Sequence, residues 1–444
     1  MSLRNFIQQH RDCSEVEDIH TTVDPDLQLS AYVYAQMCAN SVPPVMLFHK
    51  PGRDSFCSVV ANLFATRERL SRLLSHAEKT LSQRLTQLPD VVHNWSEACA
   101  WMSQNYPCTQ RSGATADAPH IELDSLYALP QIRSWSGDSR AYFSLPTVFT
   151  RTCDSAHINA GVYRLAPLDS RTLTLNWRRG SRAYALWRSY ADKGARMPVT
   201  VALGADPTLT FAALFPLPEV GAELSFWSFI RGGAQELAFN SAGLPVPSES
   251  EVILEGYVEP HLIQEEGRFA NHTGYYTESV ACPLMHVSSI RARYAAIMPI
   301  TVVGPPPTEN ALVGAAVWDL LFTLIRRELP ELLRLICPPE TAYLPVVILQ
   351  VRAPSDAAGW DERRYAIEHN TMLKRAHTLI LVDETTAIST PNLIYWHCMN
   401  LAHHDYAVMP DGMRVVDGVR WRYSGKRKVS VAHHTSAQQG ICCI

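Results

Sequence analysis

The chain lacks most of the motifs by which a sequence declares its chemistry. Its 444 residues hold no GxGxxG or P-loop in a useful context, no HExxH and no GxSxG. Dinucleotide, ATP, zinc-protease and serine-hydrolase readings therefore have no footing. The eleven cysteines form no CxxC pair and no zinc-ribbon spacing. His403-His404 and His433-His434 are adjacent pairs, without the i, i+4 geometry or the third ligand that zinc requires. The opening stretch, MSLRNFIQQHRDCSEVEDIH, is too polar for the apolar centre of a signal peptide. An odd thiol count without a secretion signal is expected of reduced cysteines in the cytoplasm. Cys442-Cys443-Ile444 does not place a cysteine four from the end, so prenylation is not supported. Long hydrophobic runs are also missing: the longest, Ala311 to Ile325, contains Asp319 and reads as a core helix rather than a membrane span. Charge is scarce at 18%, the net is −4, and the two signs are interspersed. No polycationic field exists to hold a nucleic-acid backbone, so neither nucleic acid nor a membrane is an expected partner. No internal repeat is found.

What is present is apolar residues, 47% of the chain, enough for a well-buried globular protein of two or three domains. Residues 1–120 read as a mixed α/β region. Leu27 to Cys38 and Arg67 to Gln87 have helical spacing, and Pro44 to Phe48 and Ser58 to Ala61 look like buried strands. Thr109 to Pro119, rich in Ser, Gly, Ala and Asp, reads as a linker or mobile loop. Residues 121–307 change to short β-type runs separated by turns: Ala141 to Leu145, Gly161 to Leu165, Thr172 to Trp177, Val199 to Leu203, Glu251 to Leu254 and Leu284 to Ile290. Strands this numerous predict a barrel or a strongly bent antiparallel sheet. Helices near Ser181 to Gly194 and Thr208 to Phe215 interrupt them, and Gly304-Pro-Pro-Pro307 closes the region. Residues 308–444 alternate helix and strand: helix Asn310 to Arg327, strand Tyr343 to Val351, helix Glu362 to Arg375, strand Thr378 to Val382 and helix Pro391 to Leu401. That alternation predicts an α/β domain with a partly parallel sheet.

Two segments about a hundred residues apart concentrate the polar chemistry, Asn159-Ala-Gly-Val-Tyr-Arg164 and Glu266-Gly-Arg-Phe-Ala-Asn-His-Thr-Gly-Tyr-Tyr276. A charge at the end of an apolar strand is costly unless paired, metal-bound or used. Arg164 and Glu266 are therefore candidates either for a structural ion pair or for a site. In a site, the arginine grips a carboxylate and the glutamate moves a proton. Asn159 and Glu236 could offer oxygen to one hard cation, magnesium, manganese or potassium. Taken singly, each is more commonly solvated or hydrogen-bonded. Arg178, Arg179 and Arg182, with Lys426, Arg427 and Lys428, are either solvated charges or neutralise a cofactor phosphate. Trp177 offers a flat apolar surface, though a strand tryptophan is usually core.

With these segments the sequence resembles the UbiD-type decarboxylases, which carry prenylated flavin mononucleotide. The similarity runs through Val60-Ala-Asn-Leu-Phe-Ala-Thr-Arg67, Leu145-Pro-Thr-Val-Phe-Thr150, Asn159 to Arg164, Val201-Ala-Leu-Gly-Ala-Asp-Pro207, Leu254-Glu-Gly-Tyr257, His272-Thr-Gly-Tyr-Tyr276 and Gly304-Pro-Pro-Pro307. The resemblance implies an α/β and β fold: an N-terminal α/β region, a central split β-barrel like that of flavin reductases, and a C-terminal α/β oligomerisation domain. It implies a homo-oligomer, dimer or hexamer, and a flavin prenyltransferase as cofactor supplier. Its roles carry over position by position. Asn159 and Glu236 match positions that hold a manganese-type ion (Mn2+ or Mg2+, with K+ as a further candidate) against the flavin phosphate. Val162, Tyr163, Arg164, Asn176, Trp177, Arg178, Arg179 and Gly180 match positions lining the cofactor, Arg182 lies beside them, and Arg427 falls near its phosphate. Arg164 would orient the carboxylate of an α,β-unsaturated or (hetero)aromatic acid, and Glu266 would transfer the proton in a reversible, non-oxidative decarboxylation.

Departures cluster on the substrate side. Asn271 stands where the family usually has Asp or Glu, and an amide cannot titrate. Arg182 stands where some relatives have a metal-binding histidine, Arg268 replaces a usual proline and Pro305 a usual arginine. The alternatives are a family member that binds flavin or a carboxylate ligand with altered or lost catalysis, and a plain flavin oxidoreductase.

Overall fold

The computed structural model describes residues 1–53, 55–111, 120–154, 157–341, 345–386, 388 and 406–419. The expected helix at 391–401, residues 112–119 of the expected linker, and Lys426, Arg427 and Lys428 lie outside the described residues. The chain forms two compact units, one of residues 1–328 and 337–345, the other of 329–336 and 346–444.

The first unit holds an antiparallel sheet that carries the site. Its strands run in the order Ile158–Val162, Thr147–Arg151, Met197–Leu203, Val252–Glu265, Ala281–Arg293, Thr172–Leu175, Leu165–Pro167, with His120–Glu122 pairing to 281–293. The two ends of this order, 158–162 and 165–167, are joined by Tyr163 and Arg164 alone. Three steps of chain, from Val162 to Leu165, span at most roughly 11 Å. Strands at opposite edges can be that close only if the sheet curls round on itself, so the expected split barrel follows from the strand order. Valines and leucines at 199, 201, 203, 252, 254, 173 and 175 fill its interior. The outer face of strand 197–203 is also covered: six of its seven residues are buried, Thr200 and Ala202 of that face among them, and only Pro198 is partly accessible. Hence the sequence there reads as a continuous apolar run rather than an alternation. Helix Arg182–Ala191 packs along strand 252–265, and Trp187 Nε1 donates to Glu259 O at 3.1 Å.

A second sheet of this unit orders its strands Val16–Val23, Val45–Pro51, Ser58–Ala61, Ile297–Pro299. Its last strand comes from beyond the barrel, which stitches the N-terminal region to the barrel region through backbone bonds. The segment read as one helix, 67–87, is two, Arg67–Leu73 and Leu81–Thr86. Thr80 starts the second by a capping box with Gln83, which supplies a local stop-and-start that apolar spacing does not reveal. Residues 141–145, read as a strand, contribute only an isolated bridge, Phe143 to Leu165. Helix Glu309–Glu328 belongs to the same unit.

The second unit is a five-stranded sheet in the order Leu332–Ile336, Val346–Val351, Thr378–Asp383, Arg414–Asp417, Tyr406–Val408. Its three central strands are parallel, and helix Ala357–His369 connects the first two of them, as the alternation of elements predicts. Among the described residues no helix is long and apolar enough to cross a membrane.

Phe149, fully buried on strand 147–151, pairs with Thr200 and so packs on the outer face of the curled sheet, opposite Val148 of the interior. Phe149→Ala is expected to cost roughly 3–5 kcal/mol of unfolding free energy, read as a lower denaturant midpoint at unchanged slope. A loss below about 1 kcal/mol would show that the outer face of the sheet is not close-packed there.

Candidate active site

Arg164 and Glu266 come together where strands end. Arg164 is the second residue of the link across the barrel seam, and Glu266 follows the long strand 252–265. Arg164 Nε donates to Glu266 Oε1 at 3.1 Å and its Nη2 to Oε2 at 2.5 Å, a two-point pairing that fixes both planes. Asn176 Nδ2 donates to the same Oε2 at 2.8 Å. Glu266 has no solvent exposure, so these three bonds replace its hydration and offset the cost of burying the charge. Around the pair, the Arg164 guanidinium lies 4.0 Å from the centroid of the Phe269 ring and 5.8 Å from that of Tyr142. Burial pushes the nearby Cys282 thiol up to about 12 and raises the Tyr142 phenol above its ordinary value. Both stay protonated near neutrality and are not nucleophiles.

Two glycines make this placement possible. A Cβ on Gly161 would lie 2.5 Å from the Tyr163 ring, so only glycine lets that ring fold back at the seam. Gly267 has φ +94°, and a Cβ there would meet Ser139 Cβ at 2.6 Å. The turn directly after Glu266 is thus reserved for glycine.

The pair borders a cavity of about 410 Å³. Of the residues expected around a cofactor, Val162, Tyr163, Arg164, Asn176 and Arg178 line it. The others do not. Trp177 is 2% exposed and packs in the barrel core; Arg179 and Gly180 are exposed. Arg427 lies outside the described residues.

Asn271 is not among the residues lining the cavity. Its side-chain oxygen accepts from Thr273 N at 2.8 Å and Thr273 Oγ1 at 2.5 Å, closing a turn that presents the next residue, His272, to the cavity. Burial, with the charges of Arg178 and Arg164 adding to it, holds the His272 imidazole well below its ordinary value. Asn310 and His272 Nδ1 are hydrogen-bonded at 2.6 Å. With Nδ1 accepting from the amide of Asn310, the neutral ring carries its proton on Nε2.

Two carboxyl groups that the sequence reading passed over belong to this region. Glu309 opens the helix after Gly304-Pro-Pro-Pro307 and lines the cavity. Its Oε1 accepts from Phe64 N at 2.6 Å, and burial pushes its carboxyl up to about 7. Glu223 is 2% exposed and forms an ion pair with Arg182, while burial raises its carboxyl against the pull of that arginine. The signal for Glu223 was in the sequence: one carboxylate inside Ala222-Glu-Leu-Ser-Phe-Trp-Ser-Phe-Ile230, where an unpaired charge would be costly.

Asn159 and Glu236 are not brought to one centre. Asn159 is buried on strand 158–162 and donates to Thr150 Oγ1 at 3.2 Å. Glu236 is exposed on Gln235–Phe239, in a separate three-stranded sheet. The carboxylate on the Asn159 side is Glu223, whose charge acts on Tyr163 together with that of Arg182, while Asn159 hydrogen-bonds Tyr163. Among the described residues no three His, Cys, Asp or Glu side chains form a group able to hold a metal. The donor set therefore does not fit the ion expected at Asn159 and Glu236.

Comparisons with known proteins agree with this geometry. Residues 102–306 match the family model of the 3-octaprenyl-4-hydroxybenzoate carboxy-lyase Rift-related domain, and residues 7–88 that of the corresponding N-terminal domain. An uncharacterized protein of Archaeoglobus fulgidus is 29% identical over 405 residues, covering 89% of this chain and 82% of its own. The fold is similar to that of an evolved dimeric form of the UbiD-class enzyme HmfF from Pelotomaculum thermopropionicum in complex with prFMN. The TM-score is 0.77 at 17% identity, with 94% of each chain covered. It is also similar to vanillic acid decarboxylase of Sedimentibacter hydroxybenzoicus, with TM-score 0.77, 18% identity, and 94% and 92% covered. A third similar structure is 3,4-dihydroxybenzoic acid decarboxylase of Klebsiella pneumoniae, with TM-score 0.76, 17% identity, and 100% and 98% covered. The barrel seam, the residues it gathers and the two matched domains lead to one conclusion: the chain belongs to the UbiD family of carboxy-lyases.

Proposed function

We propose that this protein is a prenylated-FMN-dependent decarboxylase acting, reversibly and without oxidation, on an α,β-unsaturated or (hetero)aromatic carboxylic acid. The observation that carries the reading is the buried, two-point Arg164–Glu266 pair at the wall of the cavity. The residues lining that cavity suit a flavin: Val162 and Leu214 offer apolar surface, and Tyr163, Asn176 and Arg178 offer polar and cationic groups at one side. Losing CO2 leaves an electron pair that no side chain can store, and prenylated FMN, when bound, supplies the sink.

The chain's own residues do the rest. Arg164 offers a fixed, planar guanidinium to the substrate carboxylate, and Phe269 lies against it with Tyr142 packed edge-on beside Phe269. Glu266 keeps its proton-accepting oxygens beside the same guanidinium, so carboxylate and proton carrier share one anchor. A carboxyl oxygen of Glu266 delivers the proton that replaces CO2. Asn176 orients Oε2 throughout. Neutral His272, its proton placed on Nε2 by the pairing of Nδ1 with Asn310, presents a dipole rather than a charge to the cavity. In the reverse direction the same Glu266 oxygen takes the proton away.

The second reading is a relative that binds flavin or a carboxylate without turnover. What favours it is Asn271, whose side-chain oxygen is committed to a turn and cannot titrate. Protein co-produced with a flavin prenyltransferase separates the two. Glu266→Gln is isosteric and keeps an acceptor for one of the two Arg164 donors while removing the titratable carboxyl group. It is expected to lose roughly 10²–10⁴-fold in kcat while retaining bound flavin. Wild-type protein that binds flavin and releases no CO2 from any member of a broad panel of unsaturated and aromatic acids would favour the binder. NADH oxidation that needs neither prenylation nor Glu266 would favour a plain oxidoreductase.

Arg164→Met leaves the apolar stacking against Phe269 but removes the charged donors. A charge-assisted hydrogen bond is worth about 1.5–3 kcal/mol, so kcat/KM for the acid is expected to fall at least about tenfold. Unchanged kcat/KM would remove Arg164 from substrate binding.

A further inference from the structure

We propose that the guanidinium of Arg182 is the resident cation of the corner formed by Asn159, Tyr163 and Glu223, and that this protein holds the anionic end of its cofactor without a metal ion. The proposal deepens the flavin reading in naming what the corner faces; whether the corner takes a metal is independent of it.

Glu223 already has a cation beside it, Arg182. One carboxylate oxygen is held by Arg182 Nη1. Arg182 Nη2 donates to Leu217 O at 2.7 Å and to Pro218 O at 3.3 Å. The guanidinium is thus anchored by a carboxylate and two carbonyls, all from the segment that leads into helix Ala222–Arg231 and its first turn. An arginine is charged at every physiological pH and has no lone pair to give a metal. A divalent ion on the remaining oxygen, Oε2, would have to sit beside this fixed positive charge, with too few other ligands in reach to repay the repulsion. The Asn159 amide and the Tyr163 hydroxyl are neutral, and with Glu223 they make one charged ligand where a hard divalent ion needs several oxygens.

The same groups do fit an organic cation. Arg182 starts helix Arg182–Ala191, with Ser181 as its N-cap, and Ser181, Tyr163 and Arg178 line the cavity directly beside it. A helix start and two arginines give that wall the positive field an acidic cofactor group requires, a phosphate above all. Arg182 supplies charge there and Glu223 fixes its position. The other carboxylate oxygen, Glu223 Oε2, is buried without a hydrogen-bond partner; one such oxygen beside the neutral Asn159 and Tyr163 groups is too few for a hard divalent ion.

The test uses the full chain, produced with a flavin prenyltransferase in manganese-supplemented medium. Metal content is measured by mass spectrometry and bound Mn2+ by electron paramagnetic resonance. FMN affinity of cofactor-free protein is measured by fluorescence with EDTA or with added MnCl2. The expected result is well under one metal ion per chain and an FMN affinity that EDTA and manganese change by less than about twofold. About one firmly held ion per chain, removed by EDTA together with FMN affinity, overturns the proposal. In the same titration Arg182→Gln is expected to weaken FMN binding by at least about tenfold, or to bind it tightly only when Mn2+ is added. Unchanged FMN binding in that variant without metal also overturns it. Wild-type protein that binds no FMN at all would defeat the flavin reading and with it the cofactor-holding half of the proposal, while its metal content still decides the other half.

Discussion

The constraint on which this structure turns is the shortness of the link between strands 158–162 and 165–167. Only Tyr163 and Arg164 join opposite edges of the main sheet, so the sheet must curl and its seam must fall at Arg164. That places a charged side chain at the end of the barrel, where it would be costly without a partner. Glu266, at the end of the longest strand, supplies the partner, and Asn176, at the end of strand 172–175, completes it. The ion pair is therefore a consequence of the topology as well as the proposed catalytic device. The same link sets Tyr163 over Gly161 and next to Asn159, so Asn159, Tyr163 and Arg164 are all fixed by one stretch of six residues.

Much of this was legible in the sequence. Ser58–Ala61 and Thr378–Asp383 have the β-branched and leucine-rich runs of buried strands and form them. The pairing of Arg164 with Glu266 was readable from two charges stranded in apolar sequence. The family resemblance is upheld by the matched domains. The split barrel was legible only through that resemblance: strand count suggests a bent sheet, but closure depends on which strands pair, and pairing is a long-range property.

The failures have physical causes. Glu236 and Glu223 are both glutamates in the stretch after the barrel's first helix, and only the apolar run around Glu223 says which one faces inward. The structure separates them by burial: Glu236 lies on an exposed strand, whereas Glu223 lies in a helix whose every neighbour from Ala222 to Ile230 is buried. Trp177 follows the usual fate of strand tryptophans and went to the core. Asn271 stands in the position of the family's usual acid, among the residues expected at the catalytic centre, but its oxygen closes a turn with Thr273, a local bond that Asn-x-Thr spacing permits. Glu309 was missed because it follows a proline turn at a helix start, where a glutamate is ordinarily a solvated favourable charge. Only the packing of Phe64 against it reveals a buried acid.

The account as a whole stands on Glu266 placing a solvent-derived proton on the carbon that loses CO2. Turnover of an accepted acid in D2O, followed by mass spectrometry and NMR of the product, tests this directly. The account predicts a single deuteron at the carbon that carried the carboxyl group. A product with no deuterium there, or one oxidised at that carbon, would contradict it.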